Sequence, residues 1–342
     1  MSIALATIIV LILAVIFVNG WTDAPNAIAT AVSTRSITPK GGVIMAAIFN
    51  LLGVIVMTLI NSKVAETISK MCRFDLVGTE GGQEPTIVLA AAMFAIVLWA
   101  VIAWFFGIPT SESHALIAGL TGSAFALGGL RAISMSEWGK VLIGLAISSV
   151  LGFAFGYVFN KILERTCRGL NRKKANSFFR FGEKIAAAIM AFLHGAQDGQ
   201  KFIGVFLLGL YLNGIVQKTP DGFFEIPFWL MLLCAVVMGL GTSIGGYRII
   251  KSVGMDMVRL EVHQGFASDI AAAACLLLST LFGIPISTTH TKTTSMVGVA
   301  CSRRASAVDW NVVGEMFSAW IITFPFCGFI GYLMAKIFMF IF

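Results

Sequence analysis

Charge is what this sequence has least of. Of its 342 residues only 12% are Asp, Glu, Lys or Arg, while 58% are hydrophobic and the mean hydropathy is +0.90. An ordinary soluble domain has roughly a quarter of its residues charged, so a water-soluble chain is excluded as an expectation. Runs of alternating apolar and polar residues are missing too, which argues against an outer-membrane barrel and leaves helices as the way to span a bilayer. The six cysteines (Cys72, Cys167, Cys234, Cys275, Cys301, Cys327) contain no CxxC pair, and four lie in or beside apolar runs. They read as small core residues, not as a metal site or disulfide frame. The four histidines lack metal-ligand spacing, so no metal centre is expected. The first apolar run has neither a basic leader nor a small-residue cleavage site after it, and it reads as a retained membrane helix.

What is present is a series of apolar runs about 20 residues long, the length that spans a bilayer as helix. Examples are VIMAAIFNLLGVIVMTLI, TIVLAAAMFAIVLWAVIAWFF and VLIGLAISSVLGFAFGYVF. The net charge of +7 is unevenly spread: residues 161–184 hold eight Lys or Arg against two glutamates. A basic loop between spans marks the cytoplasmic side. Nucleic-acid binding is not expected, because no folded soluble domain carries these charges.

The chain is written twice. GWTD at 20–23 is answered by GAQD at 195–198, so Asp23 and Asp198 are 175 residues apart. GIPTSESH at 107–114 is answered by GIPISTTH at 283–290, with His114 and His290 176 residues apart. Two unrelated pairs with nearly the same shift mean an internal duplication, with residues 1–160 as the first membrane repeat, 161–182 as a basic cytoplasmic linker and 183–342 as the second. Each half holds about four clear spans plus a GIPxSxxH segment. The stretches after the two prolines are too polar, or too rich in Gly, Ser and Thr, for lipid, and suit re-entrant or broken helices. The expectation is an all-α integral membrane protein of two inverted repeats, about five crossings each. Such repeats typically build transporters with the substrate where the halves meet.

Chemistry follows from the repeated phrases. Proline suits the first turn of a helix, so Thr110, Ser111 and Ser113, and Ser287, Thr288 and Thr289, are expected at two helix N-termini. Unpaired N–H groups and the positive end of the helix dipole favour an anion there, and two converging termini would hold a tetrahedral oxyanion. The bland alternative is that these hydroxyls only mediate helix packing. A carboxylate in a span is a functional residue by default. Asp23 and Asp198 could help bind a coupling cation, with oxygens from Thr22 and Asn26, or accept a hydrogen bond from a protonated oxyanion. Paired structural ions are the alternative. His114 and His290 could titrate near neutral pH or simply brace the helices; His194 and His263 read as structural.

These phrases resemble the inorganic phosphate transporter family, whose signature is a duplicated G-A-N-D-x-x-N-A-like motif with P-x-S-x-S/T-H-like phrases. The copies here read GWTDAPNA and GAQDGQKF, with PTSESH and PISTTH. The resemblance covers essentially the whole chain and is nearest to the shorter bacterial branch with the D-G-Q-K motif. It implies a symporter importing phosphate with Na⁺ or H⁺, and ligands at Asp23, Asn26, Thr110, Ser111, Ser113, Asp198, Ser287, Thr288 and Thr289. Thr22 and Gln197 stand where the family usually has Asn, and Lys201 stands where Asn26 stands in the first copy. A fixed ammonium at Lys201 could replace one sodium, balance Asp198 or contact phosphate; alternatively it snorkels to the interface. Proton coupling is therefore favoured. Glu112, an acid inside an anion-binding phrase, is a candidate proton carrier, and Asp269 in HQGFASDIAA is a lower-ranked cation-coupling candidate, with Thr22 and Gln197.

No cofactor is expected beyond the coupling ion, H⁺ or Na⁺, with a divalent metal co-transported as a further option. The partners are inorganic phosphate and the lipid bilayer, with small-residue patterns that permit a homodimer. The expected location is a bacterial inner (plasma) membrane, multi-pass. Rival readings are a permease for sulfate or another oxyanion, a membrane-embedded phosphatase and a passive anion channel. A phosphatase needs one committed nucleophile with its base, whereas near-equivalent Ser, Thr and His groups occur here twice. GTSIG at 241–245 matches GxSxG but lacks the strand–turn–helix context of a nucleophile elbow, and reads as helix packing.

Overall fold

A computed structural model describes residues 3–74, 83–107, 110–220 and 224–342. Most of the described residues are helical, and they contain no strand beyond three isolated bridges. Helix α1 (Ile3–Thr22) stops where Pro25 enters, since proline removes a backbone donor and clashes with the preceding turn. A 3₁₀ turn (Ala24–Ile28) and the short α2 (Ala29–Ser33) complete that pass. Helix α3 (Pro39–Ile60) starts with Thr38 accepting from the Gly41 N–H and proline in its first turn. The short α4 (Lys63–Ser69) precedes α5 (Glu84–Phe106), which ends on Gly107 at φ 69°, a left-handed cap that glycine adopts freely. Helices α6 (Glu112–Gly128) and α7 (Met135–Thr166) close the first half.

The second half opens with α8 (Arg172–Leu212), followed by α9 (Phe228–Ile244), the short α10 (Tyr247–Lys251) and α11 (Val262–Leu281). Helix α11 starts with a capping box between Glu261 and Gln264. Helices α12 (Thr288–Arg303) and α13 (Trp310–Ile341) end the chain. The basic stretch expected as a loop is mostly helical, because it continues the last turns of α7 and the first turns of α8 across residues 167–171.

The duplication is visible in the packing. Helices α1, α3, α5, α6 and α7 correspond to α8, α9, α11, α12 and α13. Helix α6 packs on α13 as α12 packs on α7, and α1 crosses α9 as α8 crosses α3. Both crossings depend on glycine. A Cβ on Gly20 would lie 2.2 Å from the Met238 carbonyl oxygen, and one on its repeat counterpart Gly195 2.2 Å from that of Asn50. Gly241, of GTSIG, abuts the Phe17 backbone in the same way, so that phrase is a helix crossing.

The halves are inverted. Helices α5 and α6 form a hairpin rooted at one end, where the Arg73 N–H bonds to Ala132 and Asn213 at the end of α8 bonds to Thr86. Helices α11 and α12 form the equivalent hairpin from the opposite end, where Glu261 at the start of α11 bonds to Arg303 at the end of α12. Among the described residues, seven helices are long and apolar enough to cross a membrane, eight counting the bent pair Phe228–Ile244 and Tyr247–Asp256. Helices α8 and α12 are not among them, because their polar residues are enclosed by the other helices: residues 193–210 and 288–300 are buried throughout. Large apolar side chains such as Val150, Ile321 and Phe329 point outward instead, as a hydrocarbon solvent requires. Cys72, Cys234, Cys275 and Cys327 are buried, and all six cysteines are free.

Candidate functional site

The two repeated phrases meet at the centre of the molecule. Ser111 caps α6, accepting from the His114 N–H, and Ser287 caps α12, accepting from the His290 N–H. Their hydroxyls touch each other at 2.8 Å. The N-termini of α6 and α12 thus converge, as the anion argument requires. Proline is placed differently from expectation: Pro285 lies two residues before the N-cap, in extended chain that leads into the helix, because Ser287 itself supplies the cap. Pro109 lies outside the described residues. Thr110 is buried beside Ser111.

Around these termini the duplicated DxxN and DxxK turns contribute charge. Lys201 is buried, which excludes snorkelling, and its ammonium donates to Asp198 Oδ1, Ser113 Oγ and the Ile286 carbonyl, each at 2.6 Å. Thr288 donates to Asp198 Oδ2 at 3.2 Å. On the first-half side, Thr289 donates to Asp23 Oδ1, and Asn26 Nδ2 reaches Asp23 Oδ1 at 2.8 Å and Thr289 Oγ1 at 3.2 Å. Partners cross between repeats: Asp23 and Asn26 with α12, Lys201 with α6. Thr22 donates to Glu112 Oε1 at 3.2 Å. Gln197 donates to the Ile284 carbonyl at 3.2 Å.

Sequence reasoning missed two contributors. His194 Nε2 lies 3.3 Å from Asp198 Oδ2, with its Nδ1 2.8 Å from Asn50 Oδ1. Asn19 donates to Asp198 Oδ2 at 3.2 Å. Asn19 and His194 are 175 residues apart, each one helical turn before its aspartate. That spacing was the available signal, hidden because the two residue types differ. Ligand atoms of Asp23, His194 and Asp198 lie within 4.8 Å of one another, a grouping able to hold a metal ion. The sequence had offered no such site.

Other candidates fall outside this cluster. Asp269 of α11 pairs with Thr30 of α2 and with Lys292, which lies one helical turn beyond Thr289 on α12. His114 and His290 contact each other edge to face at 4.4 Å. His114 Nδ1 is bonded to the Trp320 carbonyl and His290 Nδ1 to Ser149, with the His290 ring stacked on Trp320. They brace the two hairpins. His263 lies at the far end of α11, near Glu164 and Glu261.

Several buried oxygens at the centre have no donor among the described residues: Asn19 Oδ1, Asp23 Oδ2, Asn26 Oδ1, Glu112 Oε2 and Gln197 Oε1. Buried acceptors left unpaired are costly, and hard oxygens in this number suit a cation. Hydroxyl donors and two helix N-termini beside them suit an oxyanion.

Comparison with known proteins gives the same direction. The sequence pattern of the phosphate transporter family matches residues 19–331. A Bacillus subtilis protein described as a probable low-affinity inorganic phosphate transporter is 35% identical over 324 residues, covering 95% of this chain and 94% of the relative. A Rhizobium meliloti protein of the same description is 35% identical over 309 residues, covering 90% and 89%. A solved structure titled "The sodium-dependent phosphate transporter" superimposes over the full length of both chains with a TM-score of 0.88 at 21% identity, which establishes a shared fold. With a family match spanning nearly its whole length and relatives above 30% identity, the chain belongs to the phosphate transporter family.

Proposed function

We propose that the protein is a secondary active importer of inorganic phosphate driven by cation symport, with protons favoured over sodium. The observation that carries this reading is the charge of the central cluster. Asp23, Glu112 and Asp198 share a fully buried site with the ammonium of Lys201. Written with every carboxylate ionised, the site holds two negative charges before an anion arrives, and uncompensated buried charge is costly. Phosphate can enter only with positive charge, so the electrostatics couple the two movements. Phosphate oxygens replace the Ser111–Ser287 contact and accept from Ser113, Thr288, Thr289 and Lys201, while a protonated phosphate oxygen donates to Asp23 or Asp198. Sulfate, fully deprotonated at neutral pH, leaves those carboxylates without a donor. Proton coupling is supported by Lys201 filling the position where the first half offers the Asn26 amide, and by Glu112 Oε2, which has no donor among the described residues and could carry a proton.

A divalent metal travelling with phosphate is the second reading, favoured by the Asp23–His194–Asp198 grouping. Among the described residues, Ser111 and Ser287 accept from backbone N–H groups rather than pairing with a histidine ring, and the Ser149–His290 contact lies outside the central cluster, which speaks against a phosphatase. The arrangement of residues 1–160 and 183–342 about the basic segment, with that segment cytoplasmic by its charge, completes the proposal.

The test is labelled-phosphate uptake into proteoliposomes, with proton and sodium gradients imposed separately, with and without Mg²⁺, and with excess sulfate as competitor. Uptake driven by the proton gradient alone and untouched by sulfate is expected. A strict sodium requirement would overturn the proton reading, and uptake indifferent to every gradient would indicate a channel.

A further inference from the structure

We propose that Lys292, Thr30 and Asp269 form a second phosphate station, between the central site and the basic end of the molecule. The proposal rests on the transport reading above. Lys292 follows Thr289 by one turn of α12, and Thr30 follows Asn26 by about one turn, so the cluster continues the central site along the same two elements. All three side chains are fully buried. The Lys292 ammonium donates to Asp269 and, at 2.9 Å, to Thr30, whose hydroxyl donates to Asp269 at 2.7 and 2.9 Å.

The polar track continues outward. Glu183 of α8, also buried and within electrostatic reach of Lys292, accepts from Ser36 and, at 2.8 Å, from Thr34, and its Oε1 has no partner among the described residues. Thr34 in turn lines a cavity of about 820 Å³ at the α7–α8 junction, whose walls include Arg35, Arg168, Arg172 and Arg303. Glu261, at the rim, is held below the usual carboxylate range by its bond to Arg303.

The repeat supplies the contrast. Positions equivalent to Lys292 and Thr30 are Leu116 and Val205, both buried. Those equivalent to Glu183 and Thr34 are Ile8 and Gly209, where a Cβ would meet Ile8 Cδ1 at 3.4 Å. One exit from the centre is thus packed with hydrocarbon and the other with charge. The fold does not demand charge there, since its own copy forms the same packing without it. In a step from the centre toward the basic cavity, phosphate displaces the Asp269 carboxylate from Lys292 and accepts from Lys292 and Thr30. Asp269 is the built-in competitor that closes the route after release.

The test compares equilibrium phosphate binding in detergent with uptake in proteoliposomes. Lys292→Met with Asp269→Asn removes both charges together and so leaves neither uncompensated. The double variant is expected to bind phosphate within threefold of wild type while uptake falls at least tenfold. Wild-type uptake, or equal losses in binding and uptake, would overturn the station. Asp269→Asn alone frees Lys292 and is expected to raise phosphate affinity at least threefold while slowing turnover; unchanged affinity with unchanged turnover would overturn the proposal independently. Wild-type protein without phosphate uptake under any gradient would instead overturn the transport reading.

Discussion

At the scale of single residues, the cation question comes down to Lys201. Its three 2.6 Å bonds tie Asp198 to α6 and to the chain leading into α12, whereas the equivalent Asn26 presents an amide oxygen with no donor among the described residues. On the proposed proton-coupled reading, this ammonium takes the place of a metal cation. Lys201→Asn is therefore expected to make phosphate uptake sodium-stimulated by tenfold or more, read by adding a sodium gradient to proteoliposomes. Loss of all uptake with retained folding would mean that Lys201 contacts phosphate itself. The duplicated residues were legible in the sequence because the same types recur at the same shift. Asn19 and His194 were not, because each matters through what it touches, and one is an amide and the other an imidazole.

At the scale of elements, the position of both aspartates depends on helix crossings. Gly20 and Gly195 sit three residues before Asp23 and Asp198, and each lets its helix touch a neighbouring backbone. Gly195→Ala puts a methyl about where the Asn50 carbonyl lies, so α3 and α8 must separate. The expected result is a cost of about 1–3 kcal/mol, typical of overpacking, with a lower melting temperature and uptake reduced more than tenfold. Gly139→Ala, on α7 with open space around it, is expected to leave uptake unchanged and to stabilise by about 0.5–1 kcal/mol, the helix cost of glycine. Equal melting temperatures for the two variants would show that the crossing tolerates a methyl group.

At the scale of the whole molecule, the proposed orientation rests on the charge of the basic end. Cys167 is partly exposed and lines the arginine-rich cavity there. A membrane-impermeant maleimide is expected to label it in inside-out vesicles and not in intact cells, in a Cys301→Ser background because Cys301 is also partly exposed. Labelling from outside would reverse the assignment of sides.

The sequence by itself determined the class of the protein, because hydrocarbon solvent admits only apolar runs of spanning length, and it determined the duplication, because a copied phrase keeps its spacing. It also located both helix N-termini and both aspartates. Tertiary structure decided how these parts are shared: Asp23 is served by Thr289, Ser113 by Lys201, and His194 lies against Asp198 with Asp23 close by. It also separated Asp269 from the central cluster by giving it Lys292. No spacing along one chain could state those pairings, since they depend on how two inverted halves interlock and on which side chain each burial leaves without a partner.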